Sequence, residues 1–176
     1  MKKTNCMVLF FTVVLSFFSC ATNKNLAHEE GRFYEESGGF SIILPESWQA
    51  VEMPGLKYKV LAGQTENNFT QNITFVDEAF DGDLNFYVDA VIGQLEKLLR
   101  ENFELIQRSD FVTLKNVNGK KLITNTFQFF VHGRQIIYCF PGNGKKILIT
   151  CTVPAEFGES CDAFFDGIVE TFEWTK

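Results

Sequence analysis

Between residues 118 and 153 the chain alternates apolar and polar residues, and three turn-forming pairs interrupt it: Asn118-Gly119, His132-Gly133 and Asn143-Gly144. Asn-Gly suits a two-residue hairpin loop because both positions need positive φ. His also enters left-handed space more readily than most residues. Read as two-residue loops, the pairs set Leu114 opposite Ile123 and Val112 opposite Asn125, then Phe129 opposite Ile136, then Phe140 opposite Ile147. One face then collects Val112, Leu114, Ile123, Phe127, Phe129, Val131, Ile136, Tyr138, Phe140, Ile147, Ile149, Cys151 and Val153. A slip of one residue at any turn would mix this set with polar side chains. The pattern predicts a four-stranded antiparallel meander. Cys139 and Cys151 fall on opposite faces, which excludes a disulfide between them. The second face carries Phe111, Phe130, Ile137 and Leu148 among Thr124, Thr126, Thr150 and Thr152. This mixed face is the candidate partner surface, with Phe111, Phe130, Ile137, Leu148 and Thr150 as its contact residues.

Shorter alternating runs at 40–44, 57–61 and 70–76 predict three more strands. Residues 83–101 place Leu84, Val88, Val91, Leu95, Leu98 and Leu99 on one helical side, with Asp83 as N-cap. Residues 160–172 do the same with Cys161, Phe164, Phe165, Ile168, Val169 and Phe172, with Ser160 as cap. Each apolar stripe needs a sheet face to cover it. The order strands, helix, meander, helix predicts one α+β domain over residues 38–176.

Ahead of that domain, Met1-Lys2-Lys3 is a short positive segment, and Met7 to Phe18 is almost wholly apolar. The run is short of the roughly 20 residues that span a bilayer and fits the core of a cleaved export signal. It ends in Ser16-Phe17-Phe18-Ser19-Cys20. A small residue just before Cys is what a lipoprotein signal peptidase reads. Phe17 and Phe18 make this lipobox a relaxed one, similar to those of spirochaete lipoproteins. Residues 1–19 are expected to be a lipoprotein signal and Cys20 the acylated residue. Residues 20–37 read as a polar tether. The membrane partner is then a bilayer reached through covalent lipid, and the domain sits in the periplasm or at the cell surface.

Cleavage there removes two lysines and no acid, leaving 14 basic against 22 acidic residues. Such a chain is not expected to bind nucleic acid. His28 lies in the tether and His132 in a turn, so no His-activated nucleophile is in view. Pro141 to Lys146 is Gly-rich but joins two strands and lacks phosphate-loop spacing. Asp77, Glu78, Asp81 and Asp83 are the one acidic cluster that would offer oxygen ligands to Ca²⁺. Their spacing is not that of an EF-hand, and acids ahead of a helix also suit its dipole. No cofactor other than the lipid on Cys20 is expected.

The segment Gly39-Phe40-Ser41-Ile42-Ile43-Leu44-Pro45-Glu46-Ser47-Trp48 resembles the opening of the PsbP-like family. The order that follows also fits: a long middle helix, a Gly-punctuated meander, and a closing helix near Phe172-Glu173-Trp174. The resemblance implies a three-layer α/β/α sandwich around a mainly antiparallel sheet. It also implies an envelope lipoprotein that binds other proteins rather than an enzyme. The expected role is an adaptor or accessory subunit of an envelope complex; the alternative is a small-ligand or Ca²⁺-binding lipoprotein. Cys20→Ala is expected to move the protein from the detergent to the aqueous phase on phase partitioning. A variant that stays with the detergent would sink the lipidation reading.

Overall fold

The structure, a computed structural model, describes residues 31–66, 69–128, 131–142 and 144–175. Its elements run β1 (Arg32–Glu35), β2 (Phe40–Ile43), β3 (Gln49–Val51), β4 (Val60–Glu66), β5 (Phe69–Ala79) and α1 (Leu84–Leu99). They continue with β6 (Phe103–Val112), β7 (Asn118–Gln128), β8 (Val131–Gly142), β9 (Lys145–Pro154), α2 (Ser160–Val169) and β10 (Glu173–Trp174). Seven strands form one antiparallel sheet in the order β3-β4-β5-β9-β8-β7-β6. A second sheet, β1-β2-β10, is small. It packs with α2 on one face of the large sheet, and α1 covers the other. This is the expected three-layer α+β architecture.

The two cores follow from strand alternation. Toward α2 lie Ile136, Tyr138, Phe140, Ile147, Ile149 and Cys151, which meet Phe40, Phe165, Val169 and Phe172. Toward α1 lie Leu122, Ile137, Cys139 and Leu148, which meet Tyr87, Val88, Val91 and Leu95. Cys139 and Cys151 are free and on opposite faces, as expected.

The meander forms, but two of its turns are elsewhere. The third register is as read: Gly142 pairs with Lys145 and Phe140 with Ile147, and Gly144 has φ 67°. The second loop is not His132-Gly133. Gln128 pairs with Val131 and Phe127 with His132, so His132 and Gly133 are already strand; Phe129 and Phe130 lie outside the described residues. Ile123, not Phe129, stands opposite Ile136. A shift of six positions is even, so Ile123, Ile136, Tyr138 and Phe140 keep their expected face; Val131, transferred from the end of β7 to the start of β8, changes to the other. The cost falls at the strand end, where Phe127 is half-exposed against His132, ring centroids 4.5 Å apart.

The first turn inverts its strand. Val112 pairs with Asn118, so residues 113–117 form the loop and Asn118-Gly119 is already strand. Asn116 takes the positive φ, 59°. The offset from the expected register is odd, so Val112 and Leu114 face solvent and Phe111 turns inward onto Tyr138, 4.7 Å away. Gly119 is needed there for a different reason. A Cβ on it would meet the Phe140 ring at 2.4 Å. A bulge between Leu105 and Gln107 further shifts the register of β6, the edge strand.

The tether boundary also moves. Arg32 to Glu35, expected as linker, is strand β1, because Phe33 is buried and pairs with Ile42. The strand expected at 57–61 begins only at Val60. In α1, Asp83 is the N-cap as expected, and its carboxylate accepts from the backbone N–H of Asn85 at 2.7 Å and Phe86 at 3.4 Å. Leu98 is exposed, and Tyr87 takes a core place instead. Ser160 is not a cap: its hydroxyl donates to Phe157 O, and Glu159 holds the cap position with no side-chain bond.

α2 is oriented by charge as well as by apolar contact. Arg134 donates from Nε and Nη2 to the Asp162 carboxylate at 3.0 and 2.7 Å. Lys121 Nζ and the Tyr138 hydroxyl each donate to Asp166 at 2.7 Å. Burial pushes the Tyr138 phenol far up, so it stays a donor. Removing one member of such a set leaves the others buried and unpaired. Asp166→Ala is therefore expected to cost about 3 kcal/mol in chemical denaturation. A loss below about 1 kcal/mol would contradict this role.

Candidate functional site

The carboxylates read as a cluster do not converge. Asp77 and Glu78 are neighbours on β5 and point to opposite faces. Asp77 joins the α2 side, whereas Glu78 accepts from the Tyr87 hydroxyl of α1 at 3.2 Å. Asp81 is exposed in the β5–α1 loop, and Asp83 is committed to the helix cap, whose backbone N–H groups hold its carboxyl below the usual range. No group of three or more His, Cys, Asp or Glu suited to a metal ion occurs among the described residues.

The expected partner face is not a surface either. Ile137 and Leu148 are buried under α1, and Thr150 is buried on the same side of the sheet. Phe111 packs into the opposite core. Phe130 and Cys20 lie outside the described residues. The polar residues of this face, Thr124, Thr126 and Thr152, are buried too.

A concave site forms instead in front of Asp77, at the end of the domain where β1 turns into β2. Two tight turns build it. Met53-Pro54-Gly55-Leu56 closes with Leu56 N–H donating to Met53 O at 3.2 Å, and Gly55 supplies φ 86°. Pro then Gly at the central positions is what such a turn requires. It delivers Lys57, Tyr58 and Lys59 ahead of β4. The other turn, Glu35 to Gly39, closes with Gly39 N–H donating to Glu35 O at 2.8 Å. Glu35, Glu52, Met53, Pro54, Leu56, Lys57, Tyr58 and Lys59 line a cleft of about 580 Å³.

Behind the cleft sits Asp77, 9% exposed, between two lysines. Lys57 Nζ reaches Oδ1 at 2.6 Å and Lys145 Nζ reaches Oδ2 at 3.1 Å. Burial alone would push this carboxyl up, but hydrogen bonds from the lysines outweigh it and hold it below its ordinary value. The bond to Asp77 in turn raises Lys57. Lys145 is fixed further by donating to Gly38 O at 2.8 Å and by lying 5.2 Å from the centroid of the Trp174 ring. Trp174 donates from Nε1 to Pro141 O at 2.9 Å.

Tyr58 forms the wall between cleft and core. Its ring is T-stacked on Phe40, centroids 5.4 Å apart, and is 3% exposed. Lys57 Nζ lies over it at 4.8 Å. Burial pushes the Tyr58 phenol up. The hydroxyl is near enough to Asp77 to act on its charge, but it is buried and makes no hydrogen bond of good geometry. A Cβ on Gly38 would meet the Tyr58 ring at 3.0 Å, so the turn backbone closes directly over the phenol.

Of the residues singled out in the sequence, only Asp77 belongs to this site. Lys57, Tyr58 and Lys145 were not legible as a group, because Lys145 reaches Asp77 through the pairing of β5 with β9 and Lys57 reaches it from the loop into β4. Pro54-Gly55 was the available signal that a loop, rather than a strand, precedes Val60.

No protein-family model matches the chain. No curated protein matches it in sequence. Solved structures do share its fold. Cyanobacterial PsbP (CyanoP) from Synechocystis superimposes with a TM-score of 0.63 at 12% identity, over 86% of this chain and 98% of that one. LpqN, involved in cell envelope biogenesis of Mycobacterium tuberculosis, gives 0.61 at 14% identity, over 78% and 83%. The Ran-binding protein Mog1p of Saccharomyces cerevisiae gives 0.58 at 12% identity, over 82% and 95%. The chain is PsbP-like in fold.

The two lysines are unequal, and their substitutions separate them. Lys57 is 61% exposed, so Lys57→Met is expected to cost under about 1 kcal/mol. Lys145→Met removes the Gly38 and Trp174 contacts as well and is expected to cost about 2 kcal/mol. A carboxyl depressed by folding stabilises above its unfolded pKa, and that contribution fades as pH falls through the folded one. Asp77→Asn should therefore flatten the acid limb of the stability curve below about pH 4. An unchanged acid limb would contradict the assignment.

Proposed function

We propose that this protein is an exported bacterial lipoprotein, anchored through acylated Cys20, whose PsbP-like domain serves without catalysis as a protein-binding adaptor or accessory subunit of an envelope complex. The apolar run Met7 to Phe18 ending at Cys20, ahead of this fold, carries the reading. No helix of the described residues is long and apolar enough to cross a membrane, so a lipid on Cys20 would supply the attachment. LpqN, with the same fold, is involved in cell envelope biogenesis, and Mog1p binds another protein. Both support an envelope binding module.

The cleft chemistry fits binding. Asp77 has its charge matched by two lysines, which suits recognition of charged groups better than proton transfer near neutral pH. The cleft also favours a second reading, a small-ligand lipoprotein, because it is concave with charged and apolar residues converging on it.

In-cell crosslinking of the tagged, lipidated protein, followed by mass spectrometry, separates the two. The adaptor reading expects one reproducible envelope protein among the products. Good crosslinking yield with no protein partner, together with thermal stabilisation by a small metabolite, would replace it with the ligand reading.

A further inference from the structure

We infer that Lys57 is a releasable cation, and that the cleft beside it takes an extended peptide segment of the partner, bearing a carboxylate next to a basic side chain. This rests on the adaptor reading and names the part of the surface that would serve it.

The inference starts from the redundancy at Asp77. One buried carboxylate holds two ammonium groups. Lys145 cannot leave: it also ties Gly38 O and sits against Trp174. Lys57 has no such ties. It is 61% exposed, lines the cleft, and has Asp77 and the Tyr58 ring face as its contacts. If Lys57 turns toward a ligand carboxylate, Asp77 is not stranded, because Lys145 still neutralises it. A buried charge with no partner would forbid that exchange; the second lysine permits it.

Tyr58 makes the exchange easier still. Its hydroxyl is buried, lacks a hydrogen bond of its own, and lies beside Asp77. An unmatched buried hydroxyl is costly. A small rotation lets it donate to the oxygen that Lys57 vacates. The free state thus leaves one donor unmatched, and the bound state matches it.

The lining sets the ligand class. Lys57 and Lys59 offer cations, Glu35 and Glu52 offer anions, and Met53, Pro54 and Leu56 offer apolar contact. A lone anion would meet the two glutamates, and a lone cation the two lysines. A peptide carrying both signs on an extended backbone satisfies both pairs.

The test uses the full-length, isotope-labelled protein in detergent micelles, titrated with two acetylated, amidated pentapeptides: Ala-Glu-Ala-Lys-Ala and its uncharged counterpart Ala-Gln-Ala-Gln-Ala. The charged probe should shift amides around Glu35, Glu52 and Lys57 to Lys59, with affinity about tenfold above the uncharged one. Lys57→Gln should lose about that tenfold. Tyr58→Phe should melt at nearly the native temperature, having lost no hydrogen bond, yet bind more weakly. Equal binding of the two probes, shifts scattered over the surface, or a Lys57→Gln protein that binds normally would each overturn the proposal. A photocrosslinking residue at Met53, compared with one at the exposed Gly93 on α1, separates this from the adaptor reading itself. Adducts lost with Lys57→Gln from Met53 support the cleft. Adducts from Gly93 alone keep the adaptor and remove the cleft, and adducts from neither remove both.

Discussion

Along their middles, strands β8 and β9 have no solvent face. From Ile136 to Phe140 and from Ile147 to Ile149 every side chain, on both sides of the sheet, is buried. A strand of this kind must be covered twice, and the remaining architecture follows from that need. α1 covers Ile137, Cys139 and Leu148; α2 and the small sheet cover Ile136, Tyr138, Phe140, Ile147 and Ile149. At about 1.5–3 kcal/mol for each large side chain fully buried, these strands outweigh any surface ion pair in the molecule. The charged contacts have a different task. Asp162 and Asp166 fix the direction of α2 over a face that apolar contact alone would leave loosely specified.

The apolar pattern was the most legible part of the chain, and its errors have a simple rule. Misplacing the β7–β8 loop by an even number of residues kept Ile123, Ile136, Tyr138 and Phe140 in the core and lost Phe127 and Val131 beside the loop. Misplacing the β6–β7 loop by an odd one exchanged Phe111 for Val112 and Leu114. Gly119 explains the second error. It looked like a turn glycine, but what it supplies is an absent side chain beneath Phe140. β1 was missed because four residues with one buried aromatic give too little alternation to see.

The site was less legible than the fold. Asp77 stood out as an acid among acids, yet its neighbours in sequence have unrelated duties: Glu78 on Tyr87 and Asp83 at a helix end. Its real partners come from residues 57 and 145, brought together by the pairing of β5 with β9 and by the loop into β4. Composition cannot reveal such a convergence. The supposed docking face failed for the converse reason: Ile137, Leu148 and Thr150 were assigned correctly to a side of the sheet, and α1 closes that side.

The small sheet gives the domain a polarity. β1 runs from Arg32, beside Ile43, to Glu35, beside Phe40. The chain therefore enters at one end of that sheet, and the cleft opens at the other, about 10–13 Å further along. On the proposed anchoring, drag on the lipid is applied at Arg32 and is resisted first by the antiparallel pairing of β1 with β2. The cleft, which Glu35 lines, thus lies at the end of β1 opposite the residue where the pull would enter the domain.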